Sequence, residues 1–249
     1  MGIVPSARSC LGRLIRLPLR AIPRNWQMPI LMGPARGKRW IVGSSDHGMW
    51  LGTHVRPARR AFQKIVRPGD VVYDVGAFTG FYTLLASVLV GPRGRVFAFE
   101  PSPANGAYLK EHLRINRITN VTVIEAAVGE RSGTVCFEQQ GSASISHVAA
   151  EGPVRVRMVT LDEFIRDEGT PRPDVLNIDV VGGEVGLLKG AAGLLREHPP
   201  EVFMLVHTFD LNPPWIGMLR EFGYDPVPVG HPDFGTPGCV MARKPAGRS

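Results

Sequence analysis

The chain has 249 residues, 44% of them hydrophobic, and a formal net charge of +7, which excludes an intrinsically disordered chain and suits one large domain with an extension or two small domains. The charge is uneven, because residues 1–69 contain 13 Lys and Arg and one acid, whereas residues 70–249 contain 16 Lys and Arg and 21 acids. The three cysteines, Cys10, Cys136 and Cys239, form no C-x-x-C pair, so the sequence indicates neither a disulfide framework nor a zinc site and favours a reducing cytoplasm.

Residues 1–68 are predicted to form a basic, irregular N-terminal extension. Pro and Gly interrupt the segment repeatedly, a short strand is predicted near Arg39–Val42, and a helix is predicted to begin near Arg59. Arginines also interrupt the leucines of residues 11–19, so no transmembrane segment is predicted. Arginines between leucines are compatible with weak peripheral contact with an anionic membrane, or with a solvated arm.

From Gly69 the pattern changes to an alternation of strands and helices, and residues 69–249 are predicted to form one domain. Val71–Asp74 is a short apolar run that ends in an acid, which is typical of a buried strand. Strands that alternate with helices pair in parallel through right-handed crossovers. The next predicted elements are a helix over Phe81–Val90, a strand over Arg95–Glu100, a helix from Ser102 or Pro103 to Asn116, and a strand over Val121–Ala127.

The second half of the chain is predicted to complete an α/β fold with helices on both faces of one sheet. Strands over Thr134–Glu138 and Val154–Val159 flank a serine-rich loop, and Thr160 with Glu163 forms a capping box that begins a helix. The last two strands predict an antiparallel pair at one edge. The remaining predicted elements are a strand over Val175–Val180, a helix over Glu184–Arg196, a strand over Val202–His207, a helix over Pro214–Phe222, and strands near Tyr224–Val229 and Cys239–Arg243.

The chemistry is predicted at the carboxyl ends of the first two parallel strands, where open α/β sheets bind ligands. Asp74 ends the first strand, Gly76 and Gly80 follow in the turn, and Glu100 ends the second strand 26 positions after Asp74. An acid at the end of the second strand can accept hydrogen bonds from ribose hydroxyls and would repel a 2′-phosphate. The spacing G-x-x-x-G differs from the dinucleotide pattern G-x-G-x-x-G, which favours a ribose-containing cofactor without phosphates, such as S-adenosylmethionine, over a nicotinamide dinucleotide.

These segments resemble the FkbM-type family of methyltransferases over roughly residues 69–225. The matching text is D-V-G-A-F-T-G at 74–80, A-F-E-P at 98–101, T-L-D at 160–162, I-D-V at 178–180 and L-K-G-A at 188–191. The resemblance implies a Rossmann-like, seven-stranded class I methyltransferase sheet and an enzyme that takes its methyl group from S-adenosylmethionine. The acceptors it implies are hydroxyl groups of small molecules such as sugars, polyketides or other natural products.

The resemblance also implies a set of cofactor-binding residues. In that alignment Asp74 and the two glycines of the turn face the methionine part of the cofactor, and Glu100 binds the ribose. The residues after the second and third strands lie near the adenine, and the serine-rich loop covers the cofactor. The full predicted cofactor set is Asp74, Gly76, Ala77, Phe78, Thr79, Gly80, Glu100, Pro101, Ser102, Ala126, Ser142 and Ser144.

An acceptor hydroxyl must lose a proton during methyl transfer, so a base is expected near the reacting groups. Asp179 and His207 end the fourth and fifth strands and are the predicted catalytic residues, and His147 of the serine-rich loop is a third candidate. Asp179 could instead hold the substrate or the ammonium group of the cofactor. No metal site is predicted, because Val181 and Leu205 supply no ligands beside Asp179.

The chain departs from the FkbM pattern at three positions, which predicts an acceptor side with fewer polar groups than usual. Asn177 and Val181 stand where the family has Lys and Glu, and Leu205 stands where it often has an acid. These departures leave open a non-catalytic S-adenosylmethionine-binding or scaffold protein. The basic extension raises a nucleic-acid methyltransferase as a further alternative, but strand four carries no N-P-P-Y-like signature, so the expected partner is a small molecule and not a nucleic acid. A homodimer is left open.

Overall fold

The computed structural model describes Leu19 and residues 21–54, 56–139, 146–149, 154–206, 213–229 and 238–244. The chain divides into two compact units, Met1–His54 and Val55–Ser249. The sequence-based division lies between residues 68 and 69 and groups the helix Arg56–Ile65 with the extension. In the structure this helix lies in the second unit, because it packs against the last three strands of that unit.

The first unit consists of short elements. They are β1 (Gln27–Pro29), β2 (Arg39–Ile41), which pairs antiparallel with β1, a 3₁₀ turn (Val42–Ser44), and α1 (His47–Leu51). The α1 helix begins where the Asp46 side chain accepts a hydrogen bond from the Gly48 N–H at 2.6 Å. It ends at Gly52, which has the left-handed conformation. Trp40 and Trp50 are buried.

The second unit alternates helices and strands. Its helices are α2 (Arg56–Ile65), α3 (Phe81–Val90), α4 (Pro103–Ile115), α5 (Leu161–Asp167), α6 (Glu184–Gly190), α7 (Ala192–Glu197) and α8 (Pro214–Glu221). Its strands are β3 (Val71–Val75), β4 (Arg95–Phe99), β5 (Val121–Ile124), β6 (Ala126–Val128), β7 (Gly133–Gln139), β8 (Ser146–Ala149), β9 (Val154–Val159), β10 (Val175–Ile178), β11 (Glu201–Val206), β12 (Asp225–Val229) and β13 (Gly238–Arg243). In the described ranges, no helix is both long enough and apolar enough to cross a membrane.

A seven-stranded sheet organises the second unit, with strand order β12-β13-β11-β10-β3-β4-β5. The five strands from β11 to β5 run parallel, whereas β13 pairs antiparallel with both β11 and β12. The predicted α/β fold class is therefore confirmed, including the antiparallel pair at one edge. Neighbours β3 and β10 are distant in sequence, so the chain reverses its direction of winding beside β3, and the carboxyl ends of β3, β4 and β10 meet at one edge of the sheet.

The central strands are buried on both faces, as expected for a parallel sheet between helices. Tyr73 and Val75 of β3 face the main apolar core, which includes residues of α5, α6, α7 and α8. On the opposite face, the rings of Phe62 in α2 and Tyr82 in α3 lie 5.3 and 5.9 Å from the ring of Phe203 in β11. Asp74 lies on this second face, because side chains alternate along a strand.

The prediction of one strand over Val121–Ala127 is wrong in one respect. In the structure the segment forms two strands, which belong to different sheets. β5 belongs to the seven-stranded sheet, whereas β6 pairs in parallel with β9 in a separate sheet of order β6-β9-β7-β8. The break falls at Glu125. Hydrophobic pattern alone does not reveal it, because both strands are apolar and the partners of β6 lie about thirty residues further along the chain.

The predicted helix Glu184–Arg196 is also two helices, α6 and α7, which meet at Ala191. The Asp162 carboxylate stabilises the break, because it accepts hydrogen bonds from the N–H groups of Gly193 at 2.7 Å and Leu194 at 2.8 Å. Close packing fixes the end of α6, since a Cβ at Gly190 would lie 2.0 Å from the Gly129 carbonyl oxygen. Both causes are long-range contacts.

The aromatic cluster under the sheet gives the first test. The Phe164 ring lies 5.0 Å from the Phe99 ring and 6.2 Å from the Tyr73 ring, and Phe164 is buried. Phe164→Ala should lower the free energy of unfolding by about 3–5 kcal/mol in urea titrations, because it removes buried apolar area and leaves a cavity. Val227→Ala, at a side chain that is 51% exposed, is the control and should change it by about 0.5 kcal/mol or less. Equal effects of the two substitutions would contradict this account of the core.

Candidate active site

The turn after β3 requires glycine at two positions. Gly76 has φ +83°, and a Cβ there would lie 2.1 Å from the carbonyl oxygen of Asp179. Gly80 has φ +97°, and a Cβ there would lie 2.5 Å from Cδ1 of Leu109. The G-x-x-x-G spacing therefore reflects close approach of this turn to β10 on one side and to α4 on the other. We refer to residues 76–80 as the glycine loop.

Glu100, directly after β4, connects the glycine loop to the start of α4. Its Oε2 accepts a hydrogen bond from the Phe78 N–H at 2.7 Å, and its Oε1 accepts from the Ser102 N–H at 2.9 Å and from Asn105 Nδ2 at 3.3 Å. Glu100 is 4% exposed. Burial raises the pKa of Glu100 to about 7, although the three hydrogen bonds act in the opposite direction. Glu100 is therefore held in one orientation and titrates near neutral pH.

Asp74 lies below the glycine loop and joins three elements. Its Oδ2 accepts a hydrogen bond from the Thr83 hydroxyl of α3 at 2.5 Å, and its Oδ1 accepts from Asn177 Nδ2 of β10 at 2.6 Å. Asp74 is 1% exposed. Burial raises the pKa of Asp74 to about 6, opposed by these two hydrogen bonds. The sheet below the loop thus contains a second buried carboxyl group besides Glu100.

The position of Asn177 corrects one expectation from the sequence. Because Asn177 replaces a Lys of the family pattern, the sequence alone predicts fewer polar groups on the acceptor side. In the structure Asn177 is fully buried in the centre of β10, in register with Asp74, and its amide binds the Asp74 carboxylate. The departure from the family pattern at this position therefore concerns the support of Asp74. Leu205 is likewise buried within β11, paired with Cys239 of β13.

Asp179 follows β10 at the edge where the glycine loop lies. Its N–H donates to the Val75 carbonyl at 2.8 Å, and its own carbonyl is the group that excludes a side chain at Gly76. Asp179 is half-buried. Its carboxylate is close enough to raise the pKa of the Tyr82 hydroxyl, although burial is the larger cause.

Tyr82 is not among the site residues predicted from the sequence. This residue is in the first turn of α3, packs edge-on against the ring of Phe62, and is 6% exposed. Its hydroxyl oxygen is buried and has no hydrogen-bond partner in the structure. Its place two residues after Gly80 is the only sequence signal that could have indicated it.

The remaining predicted cofactor residues lie around the glycine loop or near the end of β5. Ala77 and Thr79 are buried within the loop, and the Thr79 hydroxyl, like that of Tyr82, is buried without a hydrogen-bond partner in the structure. Ser102 caps the first turn of α4, where its hydroxyl accepts from the Asn105 N–H at 3.4 Å, and Pro101 beside it is half-buried. Ala126 starts β6 and is fully buried in the main core.

Some predicted site residues lie outside the described part of the chain. They are Ser142 and Ser144 of the serine-rich loop and His207 after β11. His147 is in β8, where only the backbone is described. Within the described ranges, no group of three or more His, Cys, Asp and Glu side chains could hold a metal ion.

Comparisons with known proteins agree with this geometry. Residues 74–226 match the family model described as the methyltransferase FkbM domain. The 31-O-demethyl-FK506 methyltransferase FkbM of Streptomyces tacrolimicus is 41% identical over an alignment covering 73% of this chain and 84% of the relative. The hexuronic acid methyltransferase AglP of Haloferax volcanii is 30% identical, over 51% of this chain and 52% of the relative, so the chain spans about half the length of that relative. Among solved structures, an FkbM methyltransferase from Methylobacillus flagellatus superimposes with a TM-score of 0.54 at 20% identity, over 74% of this chain and 50% of that one, which supports the fold.

Two glycine-to-alanine substitutions distinguish the effect of the close contact between Gly76 and Asp179 from the effect of backbone strain alone. Gly69 has φ +95° with open space around a built Cβ, whereas at Gly76, with φ +83°, the Cβ would contact Asp179. Gly69→Ala should cost about 1 kcal/mol of unfolding free energy from its left-handed backbone and should leave the affinity for S-adenosylmethionine unchanged. Gly76→Ala should cost more and weaken that affinity at least about tenfold, measured by calorimetry. Equal affinity in the two variants would contradict the close approach.

Proposed function

Because the chain belongs to the FkbM methyltransferase family, we propose that it transfers a methyl group from S-adenosylmethionine to a hydroxyl group of a small molecule. The observation that carries the proposal is the preformed pairing of the glycine loop with the buried Glu100 carboxyl at the carboxyl ends of β3 and β4. Such an edge is where open α/β sheets bind nucleotide-like ligands.

The residues present fit the cofactor. Gly76 and Gly80 allow the loop backbone to approach a ligand closely, and the Thr79 hydroxyl is a buried polar atom without a partner that a ligand could satisfy. An ionised carboxylate has about four acceptor positions, and the protein fills three of those on Glu100. A ribose hydroxyl can therefore bind Oε2, and a second hydroxyl would compete with Asn105, whose hydrogen bond is the longest of the three.

The predicted roles of the acceptor-side residues follow from where they lie. The bound cofactor would supply a methyl group already activated on a sulfonium, so the residues around it mainly position the acceptor and remove its proton. The Asp179 backbone lies against Gly76 of the glycine loop, and its carboxylate is proposed to accept this proton or to hold the acceptor hydroxyl. The Tyr82 hydroxyl, which is buried and has no hydrogen-bond partner in the structure, is proposed as a further donor to the bound ligand. His207 stays a predicted base.

The proposed acceptor is a hydroxyl of a sugar, polyketide or related small molecule. Two relatives support this class, since one is a hexuronic acid methyltransferase and the other a 31-O-demethyl-FK506 methyltransferase. The alternative of a non-catalytic binding protein drew on three departures from the family pattern. One of them, Asn177, is accounted for by its hydrogen bond to Asp74. A cytoplasmic location, a homodimer and peripheral membrane contact by the basic extension stay predictions.

The pH dependence of cofactor binding tests the role of Glu100. Since the pKa of Glu100 is raised to about 7, its carboxyl is ionised above pH 7 and becomes protonated below it, where it loses acceptor capacity. The affinity for S-adenosylmethionine should therefore fall as the pH is lowered from 8 to 6.5. Glu100→Gln should bind roughly 10–100-fold more weakly at pH 8, because a hydrogen bond to a charged group is lost.

The same variant is the control for titration of the ligand itself. Any pH dependence that remains in Glu100→Gln belongs to S-adenosylmethionine or to other residues and is subtracted from the wild-type curve. Affinities of the two proteins that are equal at pH 8, or curves that are parallel over the whole range, would overturn the ribose assignment.

Turnover tests the role of Asp179. With a hexuronic acid or a macrolide alcohol as acceptor, Asp179→Asn should lower kcat about a hundredfold or more, as expected when a general base is lost. Its affinity for S-adenosylmethionine should change by less than about threefold. Asp167→Asn, at an exposed residue of α5 paired with Arg166, is the matched control. An unchanged kcat in Asp179→Asn, with O-methyl product still formed, would remove Asp179 from the chemistry.

A further inference from the structure

The glycine loop has a backbone that needs external support. Three of its five residues have positive φ angles: Gly76 at +83°, Phe78 at +52° and Gly80 at +97°. The left-handed region is unfavourable for a side chain such as that of Phe78. A strained segment of this kind persists only when contacts with the surrounding structure hold it in place.

The N–H groups of Gly76 and Ala77 both donate to the Phe99 carbonyl at 3.0 Å. Two further hydrogen bonds hold the loop at Phe78 and Thr79. On one side the Phe78 N–H donates to Glu100 Oε2 at 2.7 Å. On the other side the Thr79 carbonyl lies 2.7 Å from Nδ1 of His112, a residue of α4. A carbonyl can only accept, so Nδ1 of His112 carries the hydrogen and donates it. The peptide groups on both sides of the strained Phe78–Thr79 segment are therefore fixed.

The contact between His112 and Thr79 comes from one face of α4, which packs against the glycine loop and Glu100. Asn105, Leu109 and His112 are spaced by four and three residues, so they share one face of α4. Asn105 binds Glu100, Leu109 packs against Gly80, and His112 binds Thr79. All three are buried. Each contacts either the loop or the carboxylate that holds it.

The burial and protonation state of His112 suit a permanent hydrogen-bond donor. Its side chain is fully buried, and burial lowers the pKa of His112 to about 4, opposed by its bond to Thr79. The imidazole is therefore neutral at neutral pH. The neutral imidazole with its hydrogen on Nδ1 donates to the Thr79 carbonyl, so the contact does not require a charged His112.

We propose that His112 is a positioning residue of the cofactor site, which donates from Nδ1 to the Thr79 carbonyl and so keeps the glycine loop in its binding shape before the cofactor arrives. His112 acts through the loop and not by contact with the reacting atoms. The identity of the ligand rests on the proposed function, whereas the effect of His112 on the loop does not.

Substitutions that keep or remove the donor test this role. His112→Asn places an amide N–H near the position of Nδ1, whereas His112→Leu fills similar space without a donor. Calorimetry with S-adenosylmethionine should give a Kd about tenfold weaker for His112→Leu and within roughly threefold of wild type for His112→Asn. Leu113→Ala, at the next buried residue of α4, controls for loss of helix stability and should leave the Kd unchanged.

Amide hydrogen exchange gives a readout that needs no cofactor. In His112→Leu, the amides of Ala77 and Gly80 should exchange at least about tenfold faster, while those of Val72 and Tyr73 in β3 keep their wild-type rates. His112→Asn should restore slow exchange in the loop. Leu113→Ala should not accelerate it selectively.

The outcomes distinguish failure of the proposed role of His112 from failure of the proposed methyltransferase function. If wild type binds S-adenosylmethionine and His112→Leu binds equally well with unchanged loop exchange, the role of His112 is overturned. If all three variants lose affinity in proportion to their loss of stability, His112 is merely structural and the inference also fails. If wild type does not bind S-adenosylmethionine, the proposed function fails, and selective loop exchange in His112→Leu, with rescue by Asn, would still support the inference.

Discussion

The carboxylate of Glu100 joins the glycine loop to the turn that precedes α4. It accepts backbone N–H groups from Phe78 after β3 and from Ser102 before α4, so the ends of two parallel strands are fixed relative to each other. A buried carboxyl group is costly unless it is hydrogen-bonded, and here two of its three partners are main-chain N–H groups, the third being the Asn105 amide. The shape of the site thus depends on one side chain and on the backbone around it.

Two buried carboxyl groups with raised pKa values lie at the same edge of the sheet. Burial is the main cause of both raised pKa values. The Asp74 carboxylate contributes further to the raised pKa of Glu100, and Asp179 contributes to that of Asp74. A concentration of acid in a low-dielectric place favours a cationic ligand, because the ligand offsets the repulsion among the acids. A sulfonium-bearing cofactor has the charge that this arrangement favours, whereas a polyphosphate would increase the repulsion.

Local sequence signals predicted the parts of the site that local chemistry determines. The strand ending in Asp74, the two glycines and the strand before Glu100 follow from short apolar runs and turn residues. The sequence does not reveal that Asn177 lies beside Asp74, because that contact joins residues 103 positions apart. The split of β5 from β6 and the break at Ala191 escaped prediction for the same reason. Each is fixed by a partner on a distant element, such as Asp162.

The position of β13 has a consequence for the order in which the protein assembles. β13 lies between β11 and β12 and pairs antiparallel with both. During synthesis β12 emerges first, but it joins the sheet only through β13, so this edge cannot form until the later strand is available. Until then β11 presents an open edge of unpaired main-chain groups, the kind of edge at which nascent chains associate with one another. Assembly of this edge therefore depends on a strand that follows both of its neighbours in the chain.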